Sequence, residues 1–179
     1  MSLDKIVVVD LEATCWRGYP PKGQTQQIIE IGVCLLDVNT HEITDSRGLL
    51  VKPTRSKVSK FCTELTTITQ EMLDKEGIPL KEACSILFNE YNSKKRVWAS
   101  FGDYDRRMVE KDCTAHNIKY PFGKKHINVK VWFALRHKLK KERGMAKCLD
   151  HLNIPLEGTH HRGVDDAYNT AKLLASCLS

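Results

Sequence analysis

Two carboxylates close an apolar run near the start of the chain, in Val7-Val8-Val9-Asp10-Leu11-Glu12. Residues rich in β-branched side chains favour extended structure, and the pattern predicts a buried strand over residues 5–10. Because side chains alternate along a strand, Asp10 and Glu12 point to one side while Leu11 points the other way, into the core. Adjacent carboxylates repel each other unless water or a cation separates them. This strand end is therefore either a solvated edge or a metal site.

A third acid, Asp105, follows a predicted strand over residues 96–101 and lies at the start of a predicted helix over residues 103–117. Acids near a helix N-terminus are favoured by capping and by the helix dipole, so this position need not be functional. Asp103 fits the capping role. That assignment leaves Asp105 free to face a site.

Two doublets, His160-His161 and Asp165-Asp166, surround the start of the last predicted helix, residues 163–178. The pattern alone leaves open which member of each doublet faces a site. Gly163 permits a tight turn between them. Four acids and a histidine suit a pair of hard divalent cations acting on a phosphodiester. The combined set therefore indicates a nuclease.

The remaining pattern predicts a mixed α/β sheet with helices on both faces, in a single domain spanning residues 1–179. Gly48 marks a weak spot or bulge in one strand, and Thr63 is a candidate N-cap. The other predicted strands cover residues 27–37, 42–51 and 127–131, with a hairpin at Asn39-Thr40, and the other predicted helices cover residues 63–75, 79–92, 131–142 and 144–152.

Charge and cysteine usage narrow the class of protein. Lys and Arg outnumber Asp and Glu by 28 to 22, and a net charge of +6 fits a polyanionic partner. The seven cysteines are odd in number and widely spaced, which argues against a disulfide framework or a zinc knuckle and predicts reduced thiols in a cytoplasmic protein. The N-terminal apolar run is too short for a signal peptide or a membrane span, so we expect no membrane association.

Five local segments, in this order, resemble one family. They are Val9-Asp10-Leu11-Glu12-Ala13-Thr14-Cys15-Trp16, Ile28-Ile29-Glu30-Ile31-Gly32, residues 61–69, Gly102-Asp103-Tyr104-Asp105 and residues 160–167. Asp10-x-Glu12, Asp105 and His161-x4-Asp166 resemble the DEDDh branch of the DnaQ-like 3′→5′ exonucleases. The full set looks like the exoribonuclease subgroup that trims histone mRNA and small-RNA 3′ ends. The tyrosine variant of the branch would need Tyr-x3-Asp, and the residue four positions after Tyr168 is Lys172.

The resemblance implies a ribonuclease H-like fold with a five-stranded sheet, and it selects His161 and Asp166 within the two doublets. It implies two Mg²⁺ or Mn²⁺ ions and two-metal hydrolysis of single-stranded RNA from the 3′ end to nucleoside 5′-monophosphates, with His161 as general base. The metal ligands would be Asp10, Glu12, Asp105 and Asp166, and the catalytic residues His161 and Glu12.

Substrate contacts are predicted from position. Phe61 and Tyr104 are candidates for stacking on a terminal base. The basic residues before Phe61 form a candidate phosphate track, as do Arg106 and Arg107, whereas the basic run at residues 136–143 is interpreted as a solvated helix face. The resemblance implies that Ala13 contacts the terminal nucleotide through its backbone. The full nucleotide-binding set is Ala13, Thr14, Phe61, Leu65, Thr66, Tyr104 and His161, and the track is Lys52, Arg55, Lys57 and Lys60.

Two alternatives remain open at this point. The same five residues would serve a DNA-directed or general oligonucleotide 3′→5′ exonuclease, because the 2′-hydroxyl alone separates the two substrates. A regulatory binding protein on the same fold would retain the site and hydrolyse little. The resemblance favours RNA.

Overall fold

The computed structural model describes residues 2–178, and within them the chain forms five strands and seven helices. The strands are β1 (Ser2–Ala13), β2 (Ile28–Asp37), β3 (Ile43–Leu50), β4 (Arg96–Ser100) and β5 (His126–Asn128). The helices are α1 (Lys60–Thr66), α2 (Gln70–Glu76), α3 (Leu80–Asn89), α4 (Tyr104–Ala115), α5 (Val129–Arg136), α6 (Met145–His151) and α7 (Gly163–Leu178).

The strands form one mixed sheet in the order β3-β2-β1-β4-β5. β1 pairs antiparallel with β2, and β2 pairs antiparallel with β3. β1 also pairs parallel with β4, and β4 pairs parallel with β5. Because β1 and β4 run in the same direction, their carboxyl ends meet at one edge of the sheet. Asp10 and Glu12 therefore lie close to the segment that leads from β4 into α4.

The two faces of the sheet carry separate apolar cores, and β1 contributes to both of them. Its odd-numbered residues from Val7 to Leu11 pack with α3 and α4, whereas Ile6 and Val8 pack with α5, α6 and α7. Helices on both faces and an inward-pointing Leu11 are thus confirmed. Asp10 continues the even-numbered set, so it projects toward α5, α6 and α7.

Several predicted boundaries were wrong. β1 runs on to Ala13, past the predicted end at residue 10, so both of its acids lie within the strand. The predicted helix over residues 63–75 is two helices, because Thr67 adopts a left-handed conformation with a φ of 63° and ends α1. Ser59 caps α1, and the hydroxyl of Thr63 instead donates to the carbonyl of Ile68 at 2.9 Å.

Gly48 is not the bulge of β3. It lies in register opposite Gly32, and the irregularity falls between Thr44 and Arg47, where Asp45 has a φ of 54°. A Cβ at Gly48 would lie 2.6 Å from a carboxylate oxygen of Glu30. Any larger residue there would have to displace this carboxylate, which glycine avoids.

The helix predicted over residues 131–142 begins at Val129 and ends at Arg136. Lys138 has a φ of 52°, and the N–H of Leu139 donates to the carbonyl of Ala134 at 2.8 Å. This is the hydrogen-bond pattern of a Schellman C-cap, which closes the helix. Residues 137–144 consequently form a loop between α5 and α6.

The expectations for the cysteines and for membrane-crossing segments can be compared with the structure. All seven cysteines carry free thiols. Across residues 2–178, every helix falls short of the length and apolar character that crossing a membrane requires.

Candidate active site

An open cavity of about 360 Å³ lies at the carboxyl end of β1. All five residues of the predicted metal and base set line it, together with residues from α4, α5, α6 and the segment before α7. The lining residues are Asp10, Leu11, Glu12, Phe101, Tyr104, Asp105, Lys130, Gly144, Met145, His160, His161 and Asp166. The scattered acids of the sequence therefore converge on one site.

The carboxylates approach one another from three elements. Oxygen atoms of Asp10, Glu12 and Asp166 lie within 4.8 Å of each other, a separation at which one cation can be bound by all three. Asp105 enters from the first turn of α4, and its Oδ1 accepts a hydrogen bond from the backbone N–H of Leu11 at 3.0 Å. This bond ties α4 to β1 and fixes the fourth acid beside the other three.

The electrostatics of the cavity favour a bound cation. Burial, followed by repulsion from Asp166 and Glu30, raises the pKa of Glu12 from 4.5 to about 8. Burial, followed by repulsion from Asp105, raises the pKa of Asp10 well above its ordinary value. Burial also raises the pKa of Asp105 from 3.8 to about 6. Four oxygen donors that resist ionisation unless a positive charge is present match the preference of hard divalent cations.

Both histidines of the doublet reach the cavity, and they contact Asp166 differently. The Nδ1 atom of His160 lies 3.1 Å from each carboxylate oxygen of Asp166, whereas His161 donates its backbone N–H to Oδ2 at 2.9 Å. The two imidazole rings stack, with centroids 4.0 Å apart. His161 has a φ of 67°, which directs its N–H at the carboxylate and leaves its ring at the cavity.

The acid doublet divides cleanly between two tasks. Asp166 lines the cavity, whereas Asp165 accepts a hydrogen bond from the backbone N–H of Thr159 at 2.8 Å and so holds the loop before the histidines.

The helix-cap role expected of Asp103 is wrong. Asp103 occupies the N-cap position of α4 without a side-chain cap bond, and its carboxylate accepts from the side chains of Arg106 and Asn128, each at 3.2 Å.

Sequence reasoning missed an ion pair behind the site. Glu30 on β2 lies opposite Glu12 and is fully buried. It accepts hydrogen bonds from Arg162 at 3.0 and 3.2 Å and from the backbone N–H of Gly163 at 2.7 Å. The available signal was a single acid inside the apolar run Ile28–Ile31, since a charge in a buried strand needs a partner.

The predicted nucleotide-binding residues fall into two groups. Tyr104 lines the cavity with 49% of its surface exposed. Phe61 and Leu65 are half-buried on α1, outside the set of residues that line the cavity. α1 nevertheless lies against the end of β1, because the thiol of Cys62 donates to the carbonyl of Ala13 at 3.6 Å.

The two predicted threonines have internal partners. The hydroxyl of Thr14 accepts from the backbone N–H of Gln27 at 3.0 Å, and the hydroxyl of Thr66 donates to the carbonyl of Cys62 at 2.9 Å. Both side chains are fully buried. Their nucleotide contacts stay predictions, and their hydroxyls already serve the fold.

A five-stranded mixed sheet with a carboxylate cavity at the end of its central strand defines a ribonuclease H-like nuclease fold. The protein-family model described as Exonuclease (RNase_T) matches residues 7–174. The chain therefore belongs to this exonuclease family, as the sequence resemblance predicted. The nuclease domain of 3′hExo, a DEDDh family member solved with bound rAMP, superposes with a TM-score of 0.83 at 29% identity, covering 97% of this chain and 91% of that one.

Named relatives agree with the family assignment. The human protein "3′-5′ exoribonuclease 1" is 32% identical over 98% of this chain and 52% of its own length. The Xenopus laevis protein "ERI1 exoribonuclease 2" is 31% identical over 97% of this chain and 28% of its own length. The chain thus spans about half of the first relative and a smaller share of the second.

Proposed function

We propose that this chain is a metal-dependent 3′→5′ exonuclease domain that hydrolyses single-stranded RNA from its 3′ end and releases nucleoside 5′-monophosphates. The observation that carries the proposal is the convergence of Asp10, Glu12, Asp105 and Asp166 with two histidines on one open cavity. Membership of the exonuclease family and the names of the relatives support it. The ribonucleotide bound by the 3′hExo nuclease domain supports RNA as substrate.

Four carboxylates around one cavity suit two Mg²⁺ or Mn²⁺ ions. Asp10, Glu12 and Asp166 are close enough to share an ion, and Asp105 is held beside them by its bond to the N–H of Leu11. Such ions, when bound, activate a water for attack on the phosphodiester and stabilise the leaving oxygen. Glu12, the acid nearest the end of β1, lines the same cavity and is assigned a catalytic role as well as metal binding.

His161 is the proposed general base. Burial lowers the pKa of His161, and the neighbouring His160 lowers it further, so the imidazole is neutral at physiological pH and able to accept a proton. Its backbone N–H is bound to Asp166, which anchors the residue while its ring stays at the cavity. His160 is assigned to positioning, because its Nδ1 contacts the Asp166 carboxylate.

The terminal nucleotide is proposed to lie between the cavity and α1. Tyr104 offers an exposed ring at the cavity wall for base stacking. Ala13 contributes through its backbone at the end of β1, with the remaining candidates Thr14, Phe61, Leu65 and Thr66 around it.

The decisive experiment incubates 5′-labelled single-stranded RNA with the protein, with and without Mn²⁺, beside a DNA of the same sequence. We expect a ladder that shortens one nucleotide at a time from the 3′ end, only with metal and faster on RNA. Equal rates on DNA would identify a general oligonucleotide exonuclease. RNA binding without hydrolysis under any divalent cation would identify a regulatory binding protein.

A further inference from the structure

A strongly basic loop borders the candidate active site. The loop spans residues 137–144 and carries four exposed cations, at Lys138, Lys140, Lys141 and Arg143. As part of a helix these side chains would point in different directions around its surface. Because α5 ends at Arg136, they instead follow one another along an irregular segment.

The end of the loop forms part of the cavity wall. Gly144 and Met145 line the cavity that contains the four acids and the two histidines. Lys138 is six residues before Gly144, and an extended chain spans at most about 3.5 Å per residue, so the Cα atom of every basic residue in the loop lies within roughly 20 Å of that wall. The loop therefore lies along one of the sides from which a strand can enter the cavity.

The backbone of the loop is anchored while its cations stay exposed. Glu142, the only acid among residues 137–144, pairs with Lys130 of the cavity wall at 3.2 Å. Leu139 is half-buried in the core below α5, α6 and α7. Within residues 2–178, Lys138, Lys140, Lys141 and Arg143 have no carboxylate within 4.0 Å.

In the candidate phosphate track at residues 52–60, basic side chains already have partners within the protein. Lys52 pairs with Asp74 at 3.6 Å, and the guanidinium of Arg55 donates to the carbonyl of Ala115 at 2.7 Å. Both contacts would compete with a phosphate. The loop offers cations without such competitors, next to a cavity whose acids would otherwise repel a polyanion.

We propose that loop 137–144 binds the backbone phosphates of single-stranded RNA upstream of the 3′ end that occupies the cavity. The inference rests on the proposed function for the orientation of the strand. It assigns a second, electrostatic contact region that holds the substrate between rounds of hydrolysis. Short substrates that fill only the cavity would not reach it.

The test compares two variants that lose the same charge. The first is Lys140→Gln/Lys141→Gln/Arg143→Gln in the loop. The matched control is Lys95→Gln/Lys124→Gln/Lys125→Gln, whose exposed lysines lie at the amino ends of β4 and β5, at the opposite edge of the sheet from the cavity. Binding of a labelled single-stranded RNA of about 12 nucleotides is measured by anisotropy in Ca²⁺ over a series of salt concentrations. Hydrolysis of that RNA and of a dinucleotide is measured in Mn²⁺.

For the loop variant we expect roughly tenfold weaker binding at low salt and a plot of log affinity against log salt that is shallower by about 2, since each single-strand phosphate contact contributes about 0.7. Its kcat/KM should fall at least about tenfold more for the long RNA than for the dinucleotide. The control should match the wild type in both measurements.

Loop and control variants that bind the long RNA equally would overturn the inference. If that happens while wild-type protein still shortens RNA, the proposed function stands and only the loop assignment fails. If the wild type hydrolyses neither substrate and binding still depends on the loop, the proposed activity fails and the loop assignment stands.

Discussion

The guanidinium of Arg162 holds the buried carboxylate of Glu30, with Nη2 3.0 Å from Oε1 and Nε 3.2 Å from Oε2. The pair joins β2 to the turn that carries His160 and His161. Gly163, at the start of α7, donates its backbone N–H to the same carboxylate. A single buried acid therefore sets where the histidines and the first turn of α7 lie relative to β1.

Removing the arginine from this ion pair should strongly lower the stability of the protein. We expect Arg162→Ala to lower the free energy of unfolding by about 3–5 kcal/mol, because Glu30 would remain buried without a countercharge. Urea denaturation without divalent cations measures the change. Arg47→Ala breaks an exposed pair with Glu90 and should cost no more than about 1 kcal/mol. Similar losses in the two variants would refute a structural role for the buried pair.

The approach of α7 to β2 depends on a glycine. A Cβ at Gly32 would lie 1.8 Å from the carbonyl oxygen of Gly163, which is backbone and cannot rotate away. We expect Gly32→Ala to destabilise the protein by about 3 kcal/mol or more and to depress hydrolysis, since α7 carries Asp166. At Gly144, with a φ of −67° and nothing within 4 Å, alanine should change stability by less than about 1 kcal/mol. Thermal unfolding of the two variants would show no such contrast if α7 could shift freely.

The placement of Asp10 and Glu12 was predictable from the sequence because its causes are local. The apolar run before Asp10 requires a buried strand, and strand alternation places Asp10 and Glu12 on one side. Asp105 was only a candidate, because its place beside them depends on the parallel pairing of β1 with β4, which the sequence did not reveal. The choice of His161 and Asp166 needed the family resemblance, since neighbouring residues of one type give the same pattern.

The features that the sequence did not reveal arise from tertiary contacts. The partner of Glu30 is more than a hundred residues away, and no local pattern connects it to Arg162. Helix ends were misplaced where non-glycine residues adopt left-handed conformations, at Thr67 and Lys138. Because of the second error, the basic run at residues 136–143 was interpreted as a helix face, whereas most of it lies in a loop.

Metal binding should become more stabilising as pH rises. The pKa of Glu12 is raised to about 8 and that of Asp105 to about 6, so without metal the folded protein binds protons that the unfolded chain has released. The contribution of these groups to stability therefore decreases as pH rises from the unfolded pKa values toward the folded ones. A cation requires the ionised forms and replaces those protons. The rise in melting temperature caused by saturating Mg²⁺ should consequently be larger at about pH 8 than at about pH 6.

Two variants provide the matched comparison. Glu12→Gln removes a carboxylate whose pKa is raised to about 8, and it should flatten the difference between the two pH values. Glu64→Gln, on the exposed surface of α1, should leave it as in the wild type. A Mg²⁺-induced shift that is the same at both pH values would contradict the expectation that these acids hold the cation.

Single substitutions can distinguish the roles of the two histidines. His161→Ala should slow hydrolysis by about 10²–10⁴-fold while Mn²⁺ binding, measured by calorimetry, survives, because a general base acts on the reacting water and is not a ligand. Asp10→Asn should lose Mn²⁺ binding together with activity. His160→Ala removes a ring that contacts the Asp166 carboxylate, so a smaller loss of rate with altered metal affinity is expected. If His160→Ala were the slower enzyme and His161→Ala kept its rate, the base would be His160, and the ring stacked against it would have the supporting role.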